Sequence, residues 1–208
     1  MDPSVFIGTP LHDGRVHHRY LAGVLQTMAL FPGRMRIEFQ VGSFLPWNRD
    51  ALTSRFLESK CSHMLCVDSD VGWTAADAKK LIEADVDVVS GCYAQKNPSR
   101  ALYGQLLARR NGELWEADHV PAGFLLLKRA AVERMVEAYP ELQYSTGASK
   151  MWALWASLFE AGANYVGEDV AFCRRWRAIG GELWLHTGVT LQHFGEFAYV
   201  PDLATTLR

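Results

Sequence analysis

The chain has 208 residues, 49% hydrophobic and 21% charged, which are the proportions of an ordinary globular chain; intrinsic disorder, collagen-like structure and low-complexity tails are excluded. With 21 Lys and Arg against 23 Asp and Glu the formal charge is −2, which argues against nucleic-acid binding through bulk charge alone and leaves a local basic face open. A chain of this length buries roughly 70% of the surface its unfolded form exposes and needs no disulfide staples.

In chain order, Val5 to Gly8 is a short apolar run that reads as a buried strand, with a loop at Thr9-Pro10-Leu11-His12-Asp13. Leu21, Val24, Leu25, Met28 and Phe31 recur at helical spacing until Pro32-Gly33 stops the helix. Met35, Ile37, Phe39 and Val41 alternate with Arg36, Glu38 and Gln40 in the period of a strand. A helix is expected from about 48 to 60, then a strand covered on both faces at His63 to Val67. Thr74 with Asp77 three residues on forms a capping box opening a helix to about Ala84, and Val86 to Ser90 is a fourth strand. Such alternation implies a mainly parallel, doubly wound sheet.

The second half reads as mixed. Leu106 to Arg110 and Glu113 to Glu116 flank Asn111-Gly112, the signature of a tight hairpin. Phe124 to Leu127 is a strand, Arg129 to Tyr139 a helix, and two more helices are expected near 151–161 and 168–179 before a strand at 182–189. The four cysteines (Cys61, Cys66, Cys92 and Cys173) are scattered. Cys61 and Cys66 flank His63 but lack a second ligand pair, so they read as buried free thiols in a reducing compartment. The first residues carry no signal-peptide pattern, and uncharged runs such as Leu21 to Gly33 are too short to span a bilayer. The expectation is a cytoplasmic protein without membrane insertion.

The most informative segment for chemistry is Cys66-Val67-Asp68-Ser69-Asp70. It lies where a central strand gives way to its loop, and ligands of open α/β sheets gather at the carboxyl ends of strands. Two carboxylates there repel unless a cation lies beside them, and hard oxygen ligands suit Mg²⁺ or Mn²⁺ bridging to a diphosphate. Gly167-Glu168-Asp169 opens a helix, where acids also serve as dipole stabilisers. His193 stands in Leu191-Gln192-His193-Phe194-Gly195 after the last strand, and a histidine between apolar neighbours is also an ordinary buried residue.

Taken in order on an α/β chain, D-S-D, G-E-D and H-F-G resemble the GT-A class of nucleotide-sugar glycosyltransferases, family-2-like and similar to small phage-encoded members. Asp70 and Asp169 are 99 residues apart, close to that family's spacing, and Gly167 to Gly181 resembles its helix with a glycine stop. The resemblance implies a GT-A (Rossmann-like) fold in one domain over 1–208. Residues 1–100 would bind the nucleotide sugar and 101–208 would form a smaller acceptor and catalytic half. It implies Asp70 as metal ligand, Asp68 as ribose or water-mediated metal contact, and His193 as the late metal ligand for Mn²⁺ or Mg²⁺. Asp169 would be the base, with Glu168 orienting base or acceptor, and a single base suits transfer with inversion. Donor-side residues would be Thr9, Pro10, Asp13, Ser69 and Lys96, with Arg49 near the diphosphate although Asn48-Arg49 reverses the family's usual order. Gly123 and Phe124 would line the acceptor side. Trp152, Trp155 and Phe159, at i, i+3 and i+7, would be either core or an acceptor-stacking platform.

Other classes lose on missing residues: no phosphate-binding P-loop, no G-x-G-x-x-G after the first strand, and no nucleophile elbow occur. A nucleotidyltransferase would need an arginine-bearing glycine loop after the first strand, and a non-catalytic sugar-nucleotide-binding module would not need a base at 169. The donor is expected to be a UDP-sugar and the acceptor a hydroxyl on a saccharide or small molecule. A hydroxymethylated base in DNA is the alternative, contacted through Arg15, His17, His18, Arg19, Arg109, Arg110, Arg174, Arg175 and Arg177, and the host cytoplasm the location for a phage-encoded chain.

Overall fold

Val5 to Leu11 is apolar enough to be covered on every side, and in the computed structural model all seven residues are buried in strand β1, one strand in from the edge of a sheet. The structure describes residues 2–96, 101–160, 162, 164–195 and 198–200. After β1 come α1 (His18–Leu30), β2 (Met35–Val41), α2 (Leu45–Glu58), β3 (His63–Val67), β4 (Val71–Gly72), α3 (Ala75–Glu83) and β5 (Val88–Cys92). The second half adds β6 (Gln105–Asn111), β7 (Leu114–His119), β8 (Phe124–Lys128), α4 (Arg129–Ala138), β9 (Gln143–Thr146) and β10 (Ser149–Trp152). It ends with β11 (Leu158–Glu160), β12 (Asn164–Val166), α5 (Glu168–Ala178), β13 (Trp184–Thr190), β14 (Gln192–Phe194) and β15 (Ala198–Tyr199).

The main sheet has eight strands in the order β2-β1-β3-β8-β5-β13-β7-β6. It is mixed, which corrects the expected mainly parallel sheet. The β1–β2, β1–β3 and β5–β13 pairs are parallel, but β8 enters antiparallel between β3 and β5, and β7 and β6 continue antiparallel beyond β13. A run such as Phe-Leu-Leu-Leu gives a centrally buried strand whichever way it runs, so hydrophobicity alone leaves direction undetermined. Two apolar clusters sandwich the sheet. One joins Phe6, Phe56, Leu125, Trp155, Phe172 and Trp176; the other joins Val5, Ile7, Val24, Trp73, Leu81 and Phe124.

Local signals hold in several places. Thr74 Oγ1 accepts from Asp77 N at 3.4 Å while Thr74 N donates to Asp77 Oδ2 at 2.8 Å, closing the capping box of α3. Helix α5 ends with Gly180 at φ 79, where Gly181 N donates to Trp176 O and Gly180 N to Arg177 O, a Schellman close. The β6–β7 turn is Gly112-Glu113, shifted one residue from Asn-Gly. Gly112 has φ 59 and Asn111 keeps a negative φ, the pattern of a glycine-first type II′ turn.

Three further expectations are corrected. Strand β1 runs on through Thr9, Pro10 and Leu11, so the expected loop is shortened from its start. Helix α1 buries Tyr20, Gly23, Val24 and Thr27 instead of the stripe of Leu21, Leu25 and Met28, which are exposed. A Cβ on Gly23 would lie 2.4 Å from the Trp73 ring, so the absence of a side chain there lets the indole in and rotates the helix. Finally, 151–161 is not helical: Met151 and Trp152 close the β9–β10 hairpin and Leu158–Glu160 pairs with Asn164–Val166. The backbone groups a helix would use are taken by distant partners. Trp155 N donates to Asp50 Oδ1 at 3.0 Å, and Arg175 Nη1 donates to Leu154 O at 3.0 Å and Ala156 O at 2.6 Å. All four cysteines are free, and burial pushes the thiols of Cys66, Cys92 and Cys173 up to about 12.

Candidate active site

The D-S-D turn leaves the carboxyl end of β3 and is pinned where it starts, because Asp68 N donates to Gly123 O at 3.0 Å and Val71 N to Asp68 O at 3.1 Å. Gly123 lies against it without a side chain. A Cβ there would sit 2.5 Å from Tyr93 Oη and 2.7 Å from Asp68 Oδ2, so only glycine permits this wall. Gly123 N in turn donates to Tyr93 Oη at 2.9 Å.

Arg49 is the centre of the site. It stands in the first turns of α2 with only 4% of its side chain exposed. Its Nη2 donates to Asp68 Oδ1 at 2.9 Å, its Nε lies 3.6 Å from Glu168 Oε1, and its guanidinium covers the Trp155 ring at 5.4 Å. Burial acts to lower its pKa, yet Asp68 and Glu168 outweigh that and raise it, so it remains a cation. Glu168 moves upward, chiefly through burial and secondarily beside Asp169, with Arg49 opposing. Arg49 thus welds the D-x-D turn to the start of α5.

Asp169, the second residue of α5, is nearly buried; its Oδ1 accepts from Val170 N at 2.8 Å, and the Tyr103 hydroxyl bonds to it. Burial, and then the Asp169 charge, push the Tyr103 phenol upward, so it stays protonated and able to donate. Its ring stacks on Tyr93, with centroids 6.2 Å apart.

Asp70 meets the late histidine. Strand β14 pairs with β4, His193 opposite Val71, and His193 Nε2 stands 3.5 Å from Asp70 Oδ1. His193 Nδ1 donates to Ala94 O at 3.0 Å, a bond that orients the ring so that Nε2 faces Asp70. Lys96 Nζ pairs with Asp70 Oδ2. Burial acts to raise Asp70, but the His193 and Lys96 hydrogen bonds outweigh it and hold the carboxyl below its ordinary range. Among the described residues no group of three or more His, Cys, Asp and Glu is arranged to hold a metal ion. Asp70 and His193 stand as a pair, while Arg49 occupies one oxygen of Asp68.

A cleft of about 310 Å³ opens here, lined by Pro10, His12, Asp68, Ser69, Asp70 and His193 among others. The remaining residues singled out in the sequence lie elsewhere. Thr9 is fully buried with its hydroxyl 2.6 Å from Tyr20 Oη. Asp13 is exposed and accepts from Arg15 N. Phe124 is buried beside Trp73. Trp155 is a core residue stacked on Phe172 at 4.1 Å, whereas Trp152 lines a separate groove with Ser54, Leu57 and Lys150. Phe159 is exposed against Tyr165 and shares no face with the two tryptophans. Sequence reasoning missed Tyr93 and Tyr103. Tyr93 had a signal, since it directly follows β5 at the carboxyl end of the sheet; Tyr103 had none.

No family model and no curated protein sequence matches the chain. Among solved structures, it is similar to "Crystal Structure of A197 from STIV", with a TM-score of 0.57 and 16% identity over 97% of this chain and 95% of that one. At that identity the likeness defines the class of fold, an α/β mixed sheet flanked by helices and consistent with a Rossmann-like arrangement.

Proposed function

We propose that the chain is a metal-assisted glycosyltransferase of the GT-A type, moving a sugar from a nucleotide-sugar donor, most simply a UDP-sugar, to an acceptor hydroxyl. One observation carries this reading: three motifs far apart in sequence are joined side chain to side chain, beside a cleft that Asp68, Asp70 and His193 line. Arg49 ties Asp68 of D-S-D to Glu168 of G-E-D, and Asp70 of the same turn faces His193.

In this reading Pro10, His12 and Ser69 flank the nucleotide, and the Asp68 oxygen that Arg49 leaves free receives the ribose. Asp70 and His193, whose ring the Ala94 carbonyl orients, would hold Mn²⁺ or Mg²⁺, and the ion would offset charge on the leaving diphosphate. Lys96, paired with Asp70, would add a second positive charge beside the diphosphate. The acceptor oxygen attacks the anomeric carbon as the bond from that carbon to the diphosphate oxygen breaks. Asp169 takes the hydroxyl proton, oriented by Val170 N and the Tyr103 hydroxyl, and one base suffices for inversion.

A saccharide or small-molecule hydroxyl is the acceptor this surface favours over DNA. Of the arginines that would contact phosphates, Arg175 is buried, Arg109 is paired with Glu116 and Glu182, and Arg177 is paired with Asp118. UDP with Mn²⁺ at saturating concentration is expected to raise the melting temperature by about 5–10 °C. Asp70→Ala is expected to abolish that shift, and equal stabilisation of the variant would sink the metal assignment.

A further inference from the structure

The eight-stranded sheet ends on β2, and among the described residues no strand pairs with its outer edge. Val5 N donates to Arg34 O and Gly42 N to Leu11 O, so the even-numbered residues of β2 aim their backbone groups at β1. Met35, Ile37, Phe39 and Val41 therefore aim theirs outward. An outward row of N–H and C=O groups is a template for another strand, which proteins blunt with lysine, proline or a bulge. β2 has no lysine or proline, and its register with β1 is unbroken.

The surface beside this edge is apolar. Phe39 and Val41 are exposed on the α1 side, and Leu21, Leu25 and Met28, at i, i+4 and i+7 of α1, are each about half exposed. Ala22 and Gln26, on the opposite flank of α1, line a cleft with Trp73 and Asp77 near α3. The exposed stripe thus faces the β2 edge.

We propose that a second copy of this chain covers this surface, adding its own β2 antiparallel to the first about a two-fold axis through Ile37. The strand is complementary to itself in this register. Ile37 meets its own copy and Met35 meets Phe39 of the second copy, all on the α1 side. On the α2 side Arg36, which already donates to Glu38 of its own chain at 2.7 and 2.9 Å, also comes opposite Glu38 of the second copy, and the symmetry repeats this to give a cluster of alternating charge. Met35, Ile37 and Phe39 all carry outward backbone groups, so each supplies an N–H and a C=O to the ladder. Centred on Glu38, two glutamates would collide; centred on Arg36, two arginines; centred on Phe39, both charge pairs are lost. Phe39 O accepts from Arg55 Nη1 at 3.1 Å and keeps a second lone pair, while the Gln40 amide bonds the Val41 carbonyl beyond the paired segment. The same axis sets the two α1 stripes on one face of the joined sheet, opposite each other across the seam. This inference is independent of the chemistry in the cleft.

The test is molar mass by analytical ultracentrifugation of the full chain across micromolar concentrations. The expected result is a mass approaching twice the 23.3 kDa of one chain. Arg36→Glu, which also breaks the exposed pair with Glu38 of its own chain and is checked for an unchanged circular-dichroism spectrum, sets carboxylates opposite Glu38 of the second copy and is expected to weaken association about tenfold. Ile37→Lys, checked for an unchanged circular-dichroism spectrum, is expected to leave a monomer. A wild-type chain that stays at 23.3 kDa throughout, or an Arg36→Glu variant that associates as tightly as the wild type, overturns the proposal.

Discussion

At the scale of single residues, the site depends on one buried cation and one missing side chain. Removing the Arg49 guanidinium leaves Asp68 and Glu168 facing the same pocket with no counter-charge, and breaking a buried pair costs far more than the intact pair gains. Arg49→Met is therefore expected to lower stability by about 3 kcal/mol in urea denaturation, with both carboxylates still in place. A variant as stable as the wild type would mean the bridge carries no weight. Gly123→Ala is expected to keep the fold but push Asp68 and Tyr93 aside, weakening UDP binding by calorimetry about tenfold or more, since its Cβ would stand 2.7 Å from Asp68 Oδ2. The motif carboxylates were legible in the sequence because D-x-D and G-E-D sit at strand and helix ends. The part Arg49 plays was not: its neighbours in sequence are polar, and only the tertiary fold decides that such a helix face is buried.

That face of α2 is the main lesson at the scale of elements. Asn48, Arg49, Asp50, Thr53 and Ser54 are all buried alongside Leu52 and Phe56, so the helix packs through polar contacts in addition to the usual apolar ones. Asp50 shows the consequence. Burial raises its carboxyl to about 7, while the Trp155 amide, Arg175 and Tyr144 pull the other way. An unfolded aspartate titrates near 4, so the folded state holds the extra proton between that pH and 7. Stability is then greatest below the unfolded value and declines as pH rises through that window, by a few kcal/mol at most. Asp50→Asn keeps an acceptor for Trp155 N and removes the titration. Denaturation at pH 5 and pH 8 is expected to show the wild type losing stability relative to this variant as pH rises, and parallel curves would contradict the assignment. The same contacts explain the missing helix at 151–161: a spacing of aromatic residues shows periodicity, but Asp50 and Arg175 capture the backbone groups that the periodicity would need. Where partners are local, as at the Thr74 capping box and the Gly180 stop, the elements could be read directly.

At the scale of the whole molecule, the alternation of strand and helix in the first half identified the α/β class, but apolar runs do not encode strand direction, and β8 runs against its neighbours. Among the described residues no helix is long and apolar enough to cross a membrane. In the proposed reading Asp68, Asp70, Glu168 and Asp169 serve one site, and without them the remainder of the chain is slightly basic, so the total charge says little about the acceptor. The central claim is the proposal that this protein transfers a sugar, with Asp169 as the base. The direct measurement is mass spectrometry of products from the wild type and Asp169→Asn, offered a panel of nucleotide sugars with Mn²⁺ and candidate hydroxyl acceptors, hydroxymethylated DNA included. The account predicts a product heavier by one glycosyl unit with the wild type, and a rate lower by about 10²–10⁴-fold with the variant while UDP binding is kept. Neither transfer nor donor hydrolysis with any sugar, or a fully active Asp169→Asn, would contradict it.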